Sequence, residues 1–217
     1  MNIVKNLEKI KSGKPINVEL VAVSKTKPVS DLMEAYDAGQ RIFGENRIQE
    51  MAEKYEQMPK DIKWHSIGHV QRNKVKYMAE FVSLIHAVDS LRLIKEINKQ
   101  AKSHDRVIDC LLQIKIAKEE SKYGLDEAAA ADILNSESVQ NLKNINIIGL
   151  MGMATFTDDE KQIKSEFDYL KSIYDKFKTI NPALRVLSMG MSGDYKIAIE
   201  AGSNMIRVGS SIFGARN

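Results

Sequence analysis

The sequence has few of the features that mark secreted or membrane proteins. It contains one cysteine, Cys110, so no internal disulfide can form, which fits a reducing cytoplasm. No segment approaches the roughly 18 unbroken apolar residues that a transmembrane helix needs. Residues 1–5 start no signal peptide, because polar residues interrupt any apolar core. We therefore expect a cytoplasmic protein.

Neither sign of charge dominates the chain. The 32 lysines and arginines oppose 29 aspartates and glutamates, which gives a formal net charge of +3. This balance favours neither a nucleic-acid partner nor a membrane surface. The chain also lacks low-complexity stretches and linkers rich in proline, glycine or serine. We therefore expect residues 1–217 to form a single domain.

What the sequence does contain is a regular alternation of short apolar runs and longer charged segments. Runs rich in valine and isoleucine predict eight strands, over residues 18–24, 41–44, 62–67, 84–88, 107–117, 145–151, 185–188 and 205–208. Charged segments with helical spacing predict helices over residues 29–38, 47–57, 73–78, 90–103, 126–136, 158–179 and 194–201. Several of the apolar runs are continuous, as in strands buried on both faces of a parallel sheet.

Eight strands with seven intervening helices indicate an α/β protein with a (β/α)8 TIM barrel. A chain of 217 residues is near the lower limit of size for this fold. A doubly wound open sheet is the alternative. The count lacks a helix after the eighth strand. Residues 2–12 predict an extra N-terminal amphipathic helix, in which Ile3, Leu7 and Ile10 share a face. We expect this helix to cover the gap between the first and last strands.

Two glycine-rich segments follow the last two predicted strands, at residues 188–194 and 207–214. Glycines allow backbone N–H groups to turn toward an anion, and the hydroxyls of Ser192 and Ser210 add donors. In (β/α)8 barrels a phosphate site is frequently built from the loops after strands seven and eight. Each segment by itself reads as a tight turn before a helix, but their joint position, with Gly209 in the second, predicts a phosphate pocket.

Lys25 lies where the first predicted strand meets its loop. The carboxyl ends of barrel strands carry the chemistry of this fold. The pKa of a lysine in a partly desolvated pocket is lowered, because burial disfavours the charged form. Its neutral amine can then attack an aldehyde to form an imine. Without further context a lysine at this position is more commonly a surface charge. Lys27, before Pro28, is expected to lie in solvent.

Three other polar positions follow strand ends. Asn46 can donate to a ring hydroxyl or a phosphate. Arg207 closes the eighth strand, where it can form an interstrand salt bridge or face the nitrogen of a bound pyridine ring. Because arginine stays protonated, it would keep that nitrogen unprotonated. His65 and His69 have no evident third ligand, so we expect no metal site and assign both to pocket or core hydrogen bonds.

Together these residues carry a resemblance. The segments 21–28, 43–50, 65–74, 149–155, 188–194 and 207–214 are similar, in order and over nearly the whole chain, to the YggS/PROSC-like pyridoxal phosphate homeostasis proteins. The resemblance implies a barrel related to the N-terminal domain of alanine racemase. It also implies that the chain binds pyridoxal 5'-phosphate as a Schiff base on Lys25. Phosphate-loop positions fall on Ser192, Gly209 and Ser210, the ring nitrogen faces Arg207, and Asn46 lies close to the cofactor.

The role of that cofactor has two readings from different classes. The first is a non-enzymatic protein that holds pyridoxal 5'-phosphate and delivers it, with PLP-dependent apo-enzymes as partners. The second is an amino-acid racemase, which needs a proton donor on each face of the bound substrate. As the resemblance implies, the second base of alanine racemases lies in a C-terminal domain. Tyr123 and Tyr195 are candidate replacements, but the sequence does not place them.

We favour the homeostasis role and expect a monomer, because this chain stops shortly after the eighth strand. A third reading is a cofactor-free barrel that binds another phosphorylated metabolite and leaves Lys25 unmodified.

Overall fold

The computed structural model describes residues 2–118 and 123–215, and its eight strands close into a parallel barrel in sequential order. The strands β1 to β8 span Glu19–Val23, Ile42–Glu45, Lys63–Ser66, Val82–Val88, Ile108–Gln113, Ile145–Met151, Val186–Ser188 and Met205–Val208. The first strand pairs with β8 as well as with β2, so the sheet has no edge. The predicted barrel is confirmed, and the doubly wound open sheet is wrong.

The helices lie between the strands where the charged segments predict them, with some additions. The helices α1 to α9 span Ile3–Ser12, Val29–Asp37, Ile48–Gln57, Leu91–Ser103, Glu127–Asn135, Glu137–Gln140, Glu160–Ile180, Tyr195–Glu200 and Ser210–Phe213. A 3-10 helix over Arg72–Tyr77 takes the place of the helix predicted after the third strand. Within the described residues, no helix is both long and apolar enough to cross a membrane.

The connection from β5 to β6 differs most from the predicted elements. The fifth strand ends at Gln113 rather than at residue 117, and Ile114 forms an isolated bridge to Leu125. The helix predicted over residues 126–136 is found as α5, and the extended backbone of Ser136 separates it from the short α6, which was not predicted. Both changes lie in the connection from β5 to β6, where local periodicity did not reveal the turn.

The predicted N-terminal helix exists as α1, but it closes no gap in the sheet, because β1 and β8 are hydrogen-bonded to each other. Its apolar face is buried, and the Asn6 side-chain amide donates to the carbonyl of Ile212 in α9 at 3.1 Å. The short α9 completes the eighth strand–helix unit that the sequence pattern lacked. The first helix therefore anchors the segment that follows the eighth strand.

Apolar side chains fill both sides of the sheet. A large cluster packs the outer face of the barrel against the helices, with Trp64, Phe43 and Phe167 among its fully buried members. A smaller cluster fills the barrel interior, formed by Val21, Leu84, Ala87, Leu111, Ile148, Met151, Val186 and Met205. Since side chains alternate between the two faces of a strand, residues two positions beyond these interior ones point to the same side.

Candidate functional site

A cavity of about 580 Å³ lies at the carboxyl ends of the strands. Its lining includes every site residue nominated from the sequence: Lys25, Asn46, Ser192, Arg207, Gly209 and Ser210. These residues come from the ends of β1, β2, β7 and β8. The closure of the barrel brings them together, because β8 returns to pair with β1.

Strand periodicity explains how Lys25 reaches this cavity. Val21 points into the barrel interior, and Val23 and Lys25 follow at intervals of two and line the cavity above it. The next residue, Thr26, has a left-handed backbone with φ of 63°. Lys27 extends outward, where its exposed ammonium donates to the carbonyl of Ala215 at 3.0 Å. The solvent position expected for Lys27 is thus seen at its ammonium, although its side chain also borders the cavity.

The two glycine-rich loops are tied together at Ser192. Its hydroxyl oxygen accepts from the backbone N–H of Gly209 at 3.1 Å and from that of Ser211 at 3.4 Å. The hydroxyl proton of Ser192 remains to donate. Ser210 also lines the cavity, so two serines border it here. The loops after strands seven and eight therefore form one joint surface, as the sequence predicted.

The glycines of these loops leave room at the cavity wall. A Cβ at Gly209 would lie 3.0 Å from the carbonyl oxygen of Val23, so the loop runs unusually close to the first strand. At Gly193 no atom lies within 4 Å of an added Cβ, and this residue borders open cavity. Close backbone approach at one glycine and open space at the other shape a cradle for a small polar group.

Arg207 lies in the barrel interior below the loops and is only 4% exposed. Its guanidinium donates to the hydroxyl of Ser188 at 2.7 Å and to the carbonyl of Gly152 at 3.0 Å. Burial lowers the pKa of Arg207 to about 10, so it stays charged at neutral pH. Across the strands Arg207 thus forms a pair of hydrogen bonds, and the negative charge of Asp194 partly offsets the effect of burial on its pKa.

A chain of hydrogen bonds continues from Arg207 into the barrel. Ser188 lies 3.1 Å from Nδ1 of His86, and Nε2 of His86 lies 3.0 Å from Nδ1 of His65. A hydroxyl can accept and donate at once, so Ser188 can accept from the arginine and donate to Nδ1 of His86. In that tautomer His86 carries its proton on Nε2 and donates to His65.

Burial keeps both rings neutral, lowering the pKa of His65 to about 3 and that of His86 well below 6.5. The sequence expectation of a hydrogen-bonded buried histidine is confirmed for His65. The partnership with His86 was not predicted, because the two residues lie on different strands.

Asn46 directly follows β2 and is one of the residues that line the cavity. Its backbone is packed tightly against Gly68, where an added Cβ would be 2.5 Å from the carbonyl oxygen of Asn46 and 2.8 Å from its Cα. Only glycine fits this contact without displacing the neighbouring chain. Gly68 therefore fixes the position of Asn46, a role that the sequence did not indicate.

The cavity is also lined by Thr155, which sequence reasoning did not assign, and by one of the two candidate tyrosines. Tyr123 lines it and stacks on His69, with ring centroids 5.0 Å apart, whereas Tyr195 is not among the lining residues. Thr155 lines it as well and is held by Glu166, which accepts from both its N–H and its hydroxyl at 2.7 Å. Of the two candidate tyrosines, the structure thus brings only Tyr123 to the site.

His69 is half exposed, and its Nδ1 lies 3.4 Å from a carboxylate oxygen of Asp89. Among the described residues, His69 and His65 do not belong to a metal-binding group. Across residues 2–118 and 123–215, no group of three or more histidine, cysteine, aspartate or glutamate side chains is arranged to hold a metal ion.

Comparison with known proteins assigns the fold and its lineage. Residues 1–217 match the family described as alanine racemase, N-terminal domain. The chain belongs to this family. Among curated relatives, the pyridoxal phosphate homeostasis protein of Vibrio alginolyticus is 38% identical over 208 residues, covering 94% of this chain and 88% of that protein. The protein of the same name from Escherichia coli strain K12 is 39% identical over 215 residues, with the same two coverages.

Solved structures agree with this placement and confirm the resemblance drawn from the sequence. PipY of Synechococcus elongatus PCC7942 without PLP has a TM-score of 0.92 at 35% identity, covering 98% of this chain and all of that chain. The same protein with PLP bound has a TM-score of 0.89 at 34% identity. Alanine racemase of Clostridium difficile 630 shares the fold, with a TM-score of 0.81 at 17% identity, and this chain covers 56% of its length.

Proposed function

We propose that this protein binds pyridoxal 5'-phosphate in the cavity at the carboxyl ends of its strands and serves in cofactor homeostasis and delivery. The observation that carries the proposal is the convergence of the six nominated residues on that one cavity. Relatives of this chain are named pyridoxal phosphate homeostasis proteins, and one neighbouring structure holds PLP.

The residues present fit this cofactor. A volume of about 580 Å³ lies within the range of small-molecule pockets. The hydroxyls of Ser192 and Ser210 offer donors that a phosphate group requires, and the backbone N–H of Gly209 holds the Ser192 oxygen. Asn46 lines the same cavity and can donate to a ring substituent.

Lys25 is the residue that we assign to covalent attachment. When bound, the cofactor supplies an aldehyde. Lys25 would hold the cofactor through that aldehyde as a Schiff base, with the aldehyde oxygen leaving as water. The position of Lys25 at a strand end, on the same cavity as the phosphate loops, supports this assignment.

The setting of Arg207 fits a pyridine ring whose nitrogen stays unprotonated. Its charged guanidinium is anchored by Ser188 and Gly152 and lines the cavity. A pyridine nitrogen that faces a protonated arginine stays unprotonated, which makes the ring a weaker electron sink. Non-enzymatic delivery to PLP-dependent apo-enzymes is part of the proposal, and the names of the relatives support it.

The test is reduction with borohydride after incubation with pyridoxal 5'-phosphate. We expect a yellow protein whose reduced adduct maps to the peptide containing Lys25. Lys25→Ala and Lys25→Arg are both expected to lack this adduct, although the second variant keeps the positive charge. A colourless wild-type protein without an adduct would overturn the proposal and favour a barrel for another phosphorylated metabolite.

One observation favours the alternative function, an amino-acid racemase: Tyr123 lines the same cavity as Lys25. A tyrosine opposite a lysine could supply the second proton donor that racemisation needs. Steady exchange of the α-hydrogen of alanine in deuterated water, lost in both Lys25→Ala and Tyr123→Phe, would favour the racemase. Absence of exchange in a protein that carries the adduct would favour the homeostasis role.

The proposal extends to the state in which the protein works. We place it in the cytoplasm as a monomer, with residues 1–217 acting as a single cofactor-binding domain. The buried and unpaired thiol of Cys110 is compatible with a reducing compartment. Sedimentation of the yellow protein tests the monomer, and a mass of two chains would contradict it.

A further inference from the structure

A buried charged cluster lies directly beneath the Lys25 loop. Its members are Lys54 and Glu50 of α3 and Glu45 of β2. The Lys54 ammonium donates to a carboxylate oxygen of Glu45 and to one of Glu50, each at 2.7 Å. The side chains of Lys54 and Glu45 are 7% and 0% exposed, whereas that of Glu50 is 21% exposed.

This cluster is hydrogen-bonded to the residues on both sides of Lys25. On one side, the carbonyl of Ser24 accepts from Lys54 at 2.8 Å, and the Ser24 hydroxyl donates to Glu45 at 2.6 Å. On the other side, the backbone N–H of Thr26 donates to Glu50 at 2.6 Å. Ser24, before Lys25, is therefore bound to Lys54 and Glu45, and Thr26, after it, is bound to Glu50.

The gripped segment is conformationally strained. Thr26 is β-branched and has φ of 63°, a left-handed backbone that such residues rarely adopt. Conformations of this kind persist when surrounding contacts over-determine them, and they cluster at functional sites. The bond from Thr26 to Glu50 is the contact that fixes the strained residue directly.

Fold stability does not account for this arrangement. A buried ion pair is weak support for stability, because desolvation of the two charges offsets their attraction. Replacement by apolar residues is often neutral or stabilising. One carboxylate oxygen of Glu45 even lacks a hydrogen-bond partner among the described residues. A cluster whose charges are costly to bury and which contacts both neighbours of Lys25 points to a role in placing that lysine.

We propose that Glu45, Glu50 and Lys54 are positioning residues that hold the Lys25 loop so that the amine is already aimed at the cofactor aldehyde. This inference rests on the proposed function, in which Lys25 forms the Schiff base. The three side chains act through the backbone of Ser24 and Thr26. They set the rate at which Lys25 forms its bond, while the phosphate loops set the affinity.

The test uses Glu50→Ala, because Glu50 is partly exposed and the Lys54–Glu45 pair remains intact in this variant. Glu53→Ala, on the exposed face of the same helix, is the matched control. Glu50→Gln is the conservative rescue, since its amide oxygen can still accept from Thr26. Hydrogen exchange of the peptide covering residues 24–27, measured without cofactor, is expected to accelerate in Glu50→Ala and to stay near the wild-type rate in the other two variants.

The second readout compares two ligands on the same variants. Pyridoxal 5'-phosphate can bond to Lys25, whereas pyridoxine 5'-phosphate carries an alcohol in place of the aldehyde and can only bind non-covalently. In Glu50→Ala we expect the yellow absorbance to develop about tenfold to a hundredfold more slowly, the loss typical of a misplaced reacting group. The affinity for pyridoxine 5'-phosphate is expected to stay unchanged.

Unaltered exchange of residues 24–27 in Glu50→Ala would overturn the inference, whatever the cofactor does. Equal loss of affinity for both ligands would also overturn it, because that pattern marks general damage to the pocket. A wild-type protein that binds both phosphates but never turns yellow would instead refute the Schiff base on Lys25, and the exchange measurement would still decide the role of the cluster in holding the loop.

Discussion

Acidification is expected to destabilise this protein through two histidines buried in its barrel. The rings of His65 and His86 lie side by side, 4% and 0% exposed. Burial lowers the pKa of His65 to about 3, and burial together with His65 and Arg207 lowers that of His86 well below 6.5. Below about pH 6.5 the unfolded chain binds a proton on each ring. The folded protein does not, so stability falls as the pH falls.

The size of the effect follows from the proton count. At about pH 5, roughly 1.5 pH units below the unfolded pKa, His65 alone removes about 2 kcal/mol, since each pH unit is worth about 1.36 kcal/mol per proton. His86 acts in the same direction. Domains typically have about 5–15 kcal/mol of stability, so the loss is easily measured. The loss from His65 continues to grow until the pH approaches its folded pKa of about 3.

Urea unfolding followed by circular dichroism between about pH 7 and pH 5 measures this slope. His65→Asn keeps an acceptor for His86 but does not titrate, so we expect its free energy of unfolding to depend less steeply on pH, by about 1 kcal/mol per pH unit averaged over this range. His104→Asn is the control, because that ring is exposed, and the slope should match the wild type. A wild-type slope in His65→Asn would refute the assignment of a neutral buried ring.

Other substitutions test separate parts of the structure. Gly149→Ala is expected to destabilise the barrel by about 3 kcal/mol or more, because the added Cβ would lie 1.9 Å from the carbonyl oxygen of Val186. Urea unfolding measures this loss of stability, and a near-neutral result would contradict the packing of the two strands. Gly68→Ala is expected to displace Asn46 and weaken titrated binding of pyridoxine 5'-phosphate, and unchanged affinity would remove Asn46 from the site. Ser188→Ala leaves buried polar partners unpaired and should cost about 1–3 kcal/mol of stability, unless thermal unfolding shows no change from the wild type.

Much of the site could be read from the sequence because barrel chemistry collects at one end of the strands. Lys25 and Arg207 close predicted strands, and both glycine-rich segments follow strands seven and eight, the usual place of a phosphate site. Local hydrophobic periodicity is sufficient to find those strand ends. The residues nominated from the sequence were therefore nominated by position as well as by chemistry.

The remaining features depend on side chains that are distant in sequence and meet only after the barrel closes. The spacing of Glu50 and Lys54 indicates a pair on one helix, but it says nothing of Glu45 or of the loop that the cluster holds. Likewise, His65 and His86 lie on different strands and meet only inside the barrel.

The sequence by itself determined the order of the elements, the strand ends and the residue types at the cavity, because these follow from local patterns. The tertiary structure decided the left-handed turn at Thr26 and the charged cluster that grips both sides of Lys25. It also decided which of the two tyrosines borders the cavity. These features arise from burial and from the closing pair of β1 with β8, and no local pattern in the chain encodes either one.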